Sequence, residues 1–246
     1  FVSEKYDGYR AMWNGQNFVS RSGKIYEAPE TFKRWMPSGM ALDGELYIGR
    51  GVFEEHGIIR QDDPGEGSWL KAGVKFMIFD SPTIPGPFEE RQKELNKLVK
   101  AYCKAGGSKC PLSVIKQKKV KNEKEVYSIF NKLISKGAEG VMLRAPGSAY
   151  DPVRTRSLLK LKQNFDEECK IVGYKPGTGK FKGLLGSFQC SLVKDPTKKF
   201  FISGMDDKIR KDYKKTHPKG TIITFTHMGK TAAGIPRHPN YLRIRK

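Results

Sequence analysis

Cysteine is scarce in this chain of 246 residues: Cys103, Cys110, Cys169 and Cys190, with no CxxC spacing and no histidine close by. That pattern argues against a zinc site. Four cysteines over this length are no disulfide framework, so they read as ordinary thiols, with a bridge left open by the even count. No run is long and apolar enough to span a membrane, and no heptad array or internal repeat is visible. A basic amphipathic helix of the membrane-surface type is also missing. The chain begins at Phe1 rather than Met, so its N-terminus is silent on compartment: intracellular, or the bacterial periplasm if a signal peptide has been removed.

Acidic residues are few beside basic ones. Lys and Arg number 46 against 26 Asp and Glu, a formal net charge of +20. A surface of that sign attracts polyanions, and nucleic acid is the default partner. The 37% apolar fraction is modest, yet 11% of residues are aromatic, which suits a folded protein with a charged exterior rather than a disordered one. The length allows two domains, each with its own core.

Residues 1–164 alternate short apolar strands with helices. KYDGYRAMW, FVSRSG, MALDGELYIG and VKFMIFD read as strands or strand ends. PFEERQKELNKLVKAYCKAG reads as a helix stopped by Gly106-Gly107. A second helix follows Asn122 as N-cap, with Glu125 completing a capping box and Val126, Ile129, Phe130, Leu133 and Ile134 on one face. AEGVMLR then reads as a strand. The basic run KQKKVKNEK at 116–124 reads as a solvated connector. Over residues 165–246 short strands dominate, CKIVGY, SFQCSLV, KFFIS, TIITFTHM and YLRIR, with a short helix around MDDKIRKDY. That content predicts an OB-type small barrel.

Several polar groups interrupt apolar strands. Lys5 and Arg10 flank Asp7-Gly8, which alone reads as a hairpin turn with solvated ends. Glu45, Glu139, Lys160 and Lys162 lie in strands. Carboxylates and lysines lining one cleft would suit a nucleoside triphosphate with its metal. The Gly-rich GYKPGTGKFKG is no phosphate-cradling Walker loop, because Tyr174 and Phe181 stand where Gly and Ser or Thr are needed. It reads as a strand connection whose Lys180 and Lys182 face a phosphodiester backbone.

KYDGYR (5–10), SRSG (20–23), DGEL (43–46), FD (79–80), EGVMLR (139–144), LLKLK (158–162) and RHPNYLRIRK (237–246) together resemble the motifs of covalent nucleotidyltransferases, in order, and within them the ATP-dependent DNA ligases of the minimal bacterial and viral type. The resemblance implies an α+β fold: a nucleotidyltransferase (adenylation) domain with antiparallel sheets and flanking helices over 1–164, then a small OB-fold β-barrel over 165–246. It implies a monomer that seals 3′-hydroxyl/5′-phosphate nicks in duplex DNA with ATP and Mg2+ or Mn2+. Lys5 would be the nucleophile, with Asp7 and Arg10 serving catalysis. Ser3, Glu4, Arg10, Arg21, Glu45, Phe79, Lys160 and Lys162 would contact the nucleotide, Phe79 by stacking on adenine. Glu45 and Glu139 would hold metal, and Arg10 and Arg21 would grip the nick. Arg237, Arg243 and Arg245 would orient the pyrophosphate. An RNA ligase or capping-type nucleotidyltransferase shares the lysine motif, and a non-catalytic nucleic-acid-binding module is the reading of another class.

Overall fold

The computed structural model describes residues 1–107 and 109–245, so Lys246, the last residue of the expected tail motif, lies outside the described residues. The chain divides into two compact units, Phe1–Leu161 and Lys162–Lys246.

The first unit contains strands β1 (Val2–Lys5), β2 (Tyr9–Trp13), β3 (Phe18–Val19) and β4 (Ile25–Tyr26), the short helix α1 (Glu30–Lys33), β5 (Leu42–Tyr47), α2 (Ser68–Lys71), β6 (Lys75–Asp80), the long helix α3 (Phe88–Gly106), β7 (Leu112–Val114), α4 (Glu123–Ile134) and β8 (Gly140–Arg144). β9 (Leu158–Lys162) closes it, its last residue being the first of the second unit. Six strands form one sheet in the order β4-β3-β2-β5-β6-β7, antiparallel except for β6–β7. β1, β8 and β9 form a second. Ala11, Trp13, Leu42, Leu46, Phe76 and Ile78 turn to one face of the large sheet and pack with Phe18, Phe32, Trp69 and Leu95 into the main core. Each large apolar side chain so buried contributes about 1.5–3 kcal/mol. The face of α4 expected from the pattern is half-buried, and its N-cap is as read, with Asn122 Oδ1 accepting from Glu125 N at 3.0 Å. The Glu125 carboxylate, however, accepts from Lys121 N, one residue before the N-cap, rather than from Asn122 N as a capping box would have it.

Asp7-Gly8 does not turn a hairpin. β1 pairs with β8, and β2 with β3 and β5. The dipeptide therefore carries the chain from the small sheet to the large one, and Gly8 is required by space rather than by turn geometry. A Cβ there would stand 2.2 Å from Leu46 O. The bridge that the cysteine count left open is present: Cys103 and Cys110, at the end of α3 and just before β7, form a disulfide, whereas Cys169 and Cys190 are free, buried thiols. Seven residues apart, the first two meet because the chain reverses between them.

The second unit contains β10 (Phe165–Pro176), β11 (Leu185–Leu192), β12 (Lys199–Ile202), α5 (Asp207–Thr216), β13 (Ile222–His227) and β14 (Asn240–Ile244). They form an antiparallel sheet in the order β12-β11-β10-β13-β14, around a core of Cys169, Ile171, Phe188, Cys190, Ile202, Ile223 and Phe225. Its two edges meet at a single bridge, Ser203 to Asn240, where Tyr241 N donates to Ser203 O at 2.8 Å. The expected helix is α5, capped by Asp206 on Ile209 N.

Candidate active site

β1 turns Ser3 and Lys5 into a cavity of about 250 Å³, lined also by Glu4, Tyr6, Arg10, Glu45, Phe79, Ile115, Gln117, Met142, Arg144 and Leu158. The register places Lys5 opposite Gly140, so Glu139, one residue earlier, reaches it. Glu139 Oε2 lies 2.5 Å from Lys5 Nζ. From the other sheet comes Glu45, cross-strand partner of Arg10, whose Oε1 accepts from Gly8 N at 3.2 Å. Thus the crossover glycine that lets the two sheets approach also fixes the second carboxylate. Burial pushes the Glu45 carboxyl up to about 7, opposed by Lys5 and the Gly8 N–H and reinforced by Glu139.

The base of the cavity is apolar, with Phe79, Ile115, Met142 and Leu158 as walls. Arg10 lines it as well. The guanidinium carbon stands 5.6 Å from the Phe79 ring centroid, and the fork is bidentate on Asp43, at 3.1 and 2.7 Å. Tyr150 Oη donates to the same carboxylate at 2.9 Å. Glu4 is likewise occupied, by both prongs of Arg50 at 2.8 and 2.6 Å. Asp80, next to Phe79 in the chain, receives Arg91 bidentately at 2.8 and 2.9 Å and Arg144 at 3.3 Å. Burial pulls the Arg144 guanidinium below its ordinary value, and Arg91 adds repulsion against the pull of Asp80.

Ser3, Glu4, Lys5, Arg10, Glu45 and Phe79 therefore share one cavity, and Glu139 joins them through Lys5. Asp7 is half-buried at the crossover. Lys160 instead lines a wider neighbouring cavity, which Arg10, Met142 and Leu158 also border. Arg21 is exposed in the turn after β3, outside both linings. Lys162 approaches the Met228 sulfur at 3.6 Å. In the second unit Lys180 and Lys182 are exposed around a short turn at Gly179–Phe181. Arg237 is half-buried, Arg243 is exposed on β14, and Arg245 Nη1 lies 2.5 Å from Glu168.

No group of three or more His, Cys, Asp or Glu gathers among the described residues. What the site offers a cation is the pair Glu45 and Glu139 beside Lys5. Two carboxylates suit a hard divalent ion whose remaining ligands are water and phosphate oxygens.

The sequence reading passed over Asp43, Arg50, Asp80, Arg91, Gln117, Arg144 and Tyr150. Asp43, Asp80 and Arg144 carried a local signal, since they lie in the DGEL, FD and EGVMLR segments, and Asp43 also stands two residues before Glu45 on one strand and so shares its face. It also missed the outer face of β10–β12, where Lys170, Lys175 and Lys199 surround an exposed Phe201, with Lys175 Nζ 5.3 Å from that ring.

The cleft presents the Lys5 amine beside the carboxylates of Glu139 and Glu45, on a two-sheet unit that a five-stranded antiparallel unit follows in the chain. Residues 1–162 match the family model of the ATP dependent DNA ligase domain, and residues 176–245 that of the DNA ligase OB-like domain. The DNA ligase of Haemophilus influenzae is 32% identical over 246 residues, spanning 100% of this chain and 86% of that one. A solved structure of a Lig E DNA ligase superposes with TM-score 0.85 at 32% identity, covering 99% of this chain and 91% of that one. A Chlorella virus DNA ligase-adenylate, at 21% identity and TM-score 0.54 over 100% of this chain and 91% of that one, shares the fold. The chain belongs to the ATP-dependent DNA ligases.

Proposed function

We propose that this chain seals nicks in duplex DNA through a lysyl-AMP intermediate on Lys5. The observation that carries the assignment is the Lys5 amine in the lining of the cavity, 2.5 Å from Glu139 Oε2. In the first step Lys5 Nζ attacks the α-phosphorus of ATP. The N–P bond forms as the bond to pyrophosphate breaks, the amine having first released its proton to solvent, a loss favoured by the like charge of Lys160 and Lys162. The nick 5′-phosphate then displaces the lysine and carries the AMP. Finally the 3′-hydroxyl attacks that phosphate and AMP leaves, a good leaving group where a bare phosphate oxygen is not.

Phe79 stacks on the base, and Glu45 and Glu139 would hold a magnesium or manganese ion. Such an ion would neutralise charge on the departing pyrophosphate and draw Glu139 off the ammonium. Lys160 and Lys162 hold the α-phosphate. Asp7, Arg10 and Arg21 serve the nick, Arg10 after leaving Asp43. Lys180, Lys182 and the basic face around Phe201 read the DNA backbone, and the chain acts as a monomer. The tail arginines Arg237, Arg243 and Arg245 orient the pyrophosphate during loading.

The test is incubation with α-labelled ATP and magnesium. A covalent, acid-labile adduct is expected, discharged by nicked duplex with appearance of sealed product. Lys5→Ala should form none, and full labelling of that variant would overturn the assignment.

A further inference from the structure

The end of the slot away from Lys5 is polar, and its geometry follows from strand register. Val2 and Lys118 form an antiparallel bridge closed by two hydrogen bonds of 2.8 Å, Val2 N to Lys118 O and Lys118 N to Val2 O. Their neighbours Ser3 and Gln117 therefore lie opposite each other, with side chains on one face. On its other side Ser3 pairs with Met142. Gln117, Ser3 and Met142 make one row across the cavity, and all three line it. Lys5 occupies the next row on the same face, about 7 Å away at the usual rise per residue. A nucleotide whose phosphate meets Lys5 and whose base lies between Phe79 and Met142 sets its base edge against the Gln117 row.

That edge needs an acceptor if the base carries an exocyclic amino group, and the lining supplies few. Arg144 and Arg10 only donate. Glu4 is held by Arg50, and Glu45 lies with Gly8 on the lysine side. Gln117, Ser3 and Tyr6 remain. None of the three side chains makes a hydrogen bond among the described residues, and Tyr6, next to Lys5 in the chain, belongs to the lysine side, away from the Gln117 row. An amide offers an acceptor and a donor side by side, the complement of the adenine 6-amino group and an adjacent ring nitrogen.

We infer that Gln117 reads the base edge of the bound nucleotide and sets the preference for a 6-aminopurine. The inference rests on the ATP-loading reading and deepens it.

The experiment compares ATP with purine riboside triphosphate, which lacks the 6-amino group, in the labelling reaction. Wild type should favour ATP about tenfold in KM, the worth of one such hydrogen bond. Gln117→Leu should raise the ATP KM to that of the analogue and leave kcat within about twofold, because the reacting atoms lie a row away. Calorimetric Kd values on a Lys5→Ala background, where no chemistry occurs, should show the same convergence. If the leucine variant does not fold, Gln117→Asn, which withdraws the amide by one methylene, should narrow the preference in the same direction. Persistence of the full preference in the folded variant overturns the inference, as does its collapse in Ser3→Ala alone. In either case wild type still labels with ATP, and only failure of that labelling would remove the ligase reading as well.

Discussion

Two aspartates of the large sheet each hold a forked arginine, Asp43 the cavity-lining Arg10 and Asp80, next to the cavity-lining Phe79, the buried Arg91, and the two pairs have opposite freedom. Arg91 and Asp80 are 1% and 0% exposed. Arg91 also donates to Gly86 O and Ser148 O, and Ser81 N donates to Asp80. One carboxylate thereby ties β6, α3, the loop at Ser148 and, through Arg144, β8. Asp43 is as deep, yet Arg10 is 45% exposed. A buried charge with several partners is scaffold, since losing any partner strands the others. A guanidinium with one face in water can exchange an aspartate for a phosphate at modest cost. Depth therefore separates the group that shapes the cavity from the group able to meet a substrate.

The largest effect should come from the buried pair. Asp80→Asn keeps the shape but leaves Arg91 and Arg144 buried without an anion, at a cost of about 3–5 kcal/mol, read as a lower urea midpoint. An equal loss from Arg10→Ala would erase the distinction. Next is Glu45. Its folded-state value, raised from 4.5 to about 7, means that the folded chain binds a proton the unfolded chain has released. The associated stability is present below about pH 4.5 and lost as pH rises through 7. Glu45→Gln imitates the protonated form and avoids that loss. It should match wild type near pH 4 and exceed it at pH 8 by on the order of 3 kcal/mol, measured by denaturation at both. A difference that does not change with pH would mean the carboxyl is not desolvated.

Gly8→Ala is the third test, because a Cβ 2.2 Å from Leu46 O forces the crossover apart. A loss of about 1–3 kcal/mol is expected, with slower labelling of Lys5, which stands three residues away. This glycine shows where sequence reading stops. Asp7-Gly8 carries a strong local turn signal, and the local reading was a hairpin. The partner strands that overrule it, β8 and β5, lie over a hundred and over thirty residues downstream. The order of motifs was legible because each is a short run of unusual residue types. Strand positions were legible from alternation, and the α4 N-cap from Asn122. The Asp80 network was not, since its arginines come from a helix and a distant strand with no fixed spacing. Gln117 was hidden in a lysine-rich run whose charge suggested solvent, while the bridge of its neighbour Lys118 to Val2 is a tertiary fact. The Cys103–Cys110 disulfide was left open for the same reason, because an even count names no pairs.

The smallest effect on stability, and the sharpest on function, is expected at the tail. Arg245 pairs with Glu168 at 2.5 Å, but the two side chains are 52% and 31% exposed. Such a pair is worth about 0–1 kcal/mol. Arg243 is exposed opposite Thr224, so Arg243→Ala with Arg245→Ala should leave the thermal midpoint nearly unchanged. A role in holding pyrophosphate predicts a selective defect. Each charge-assisted hydrogen bond to phosphate is worth about 1.5–3 kcal/mol, so loading from ATP should fall roughly 10- to 100-fold. Sealing of a nick already carrying AMP should stay within about twofold, since that step involves no pyrophosphate. Two assays on one folded protein thus separate the roles. Equal loss in both would make these arginines DNA contacts, and the freedom that distinguishes Arg10 from Arg91 would then mark binding to the duplex in the second unit as well.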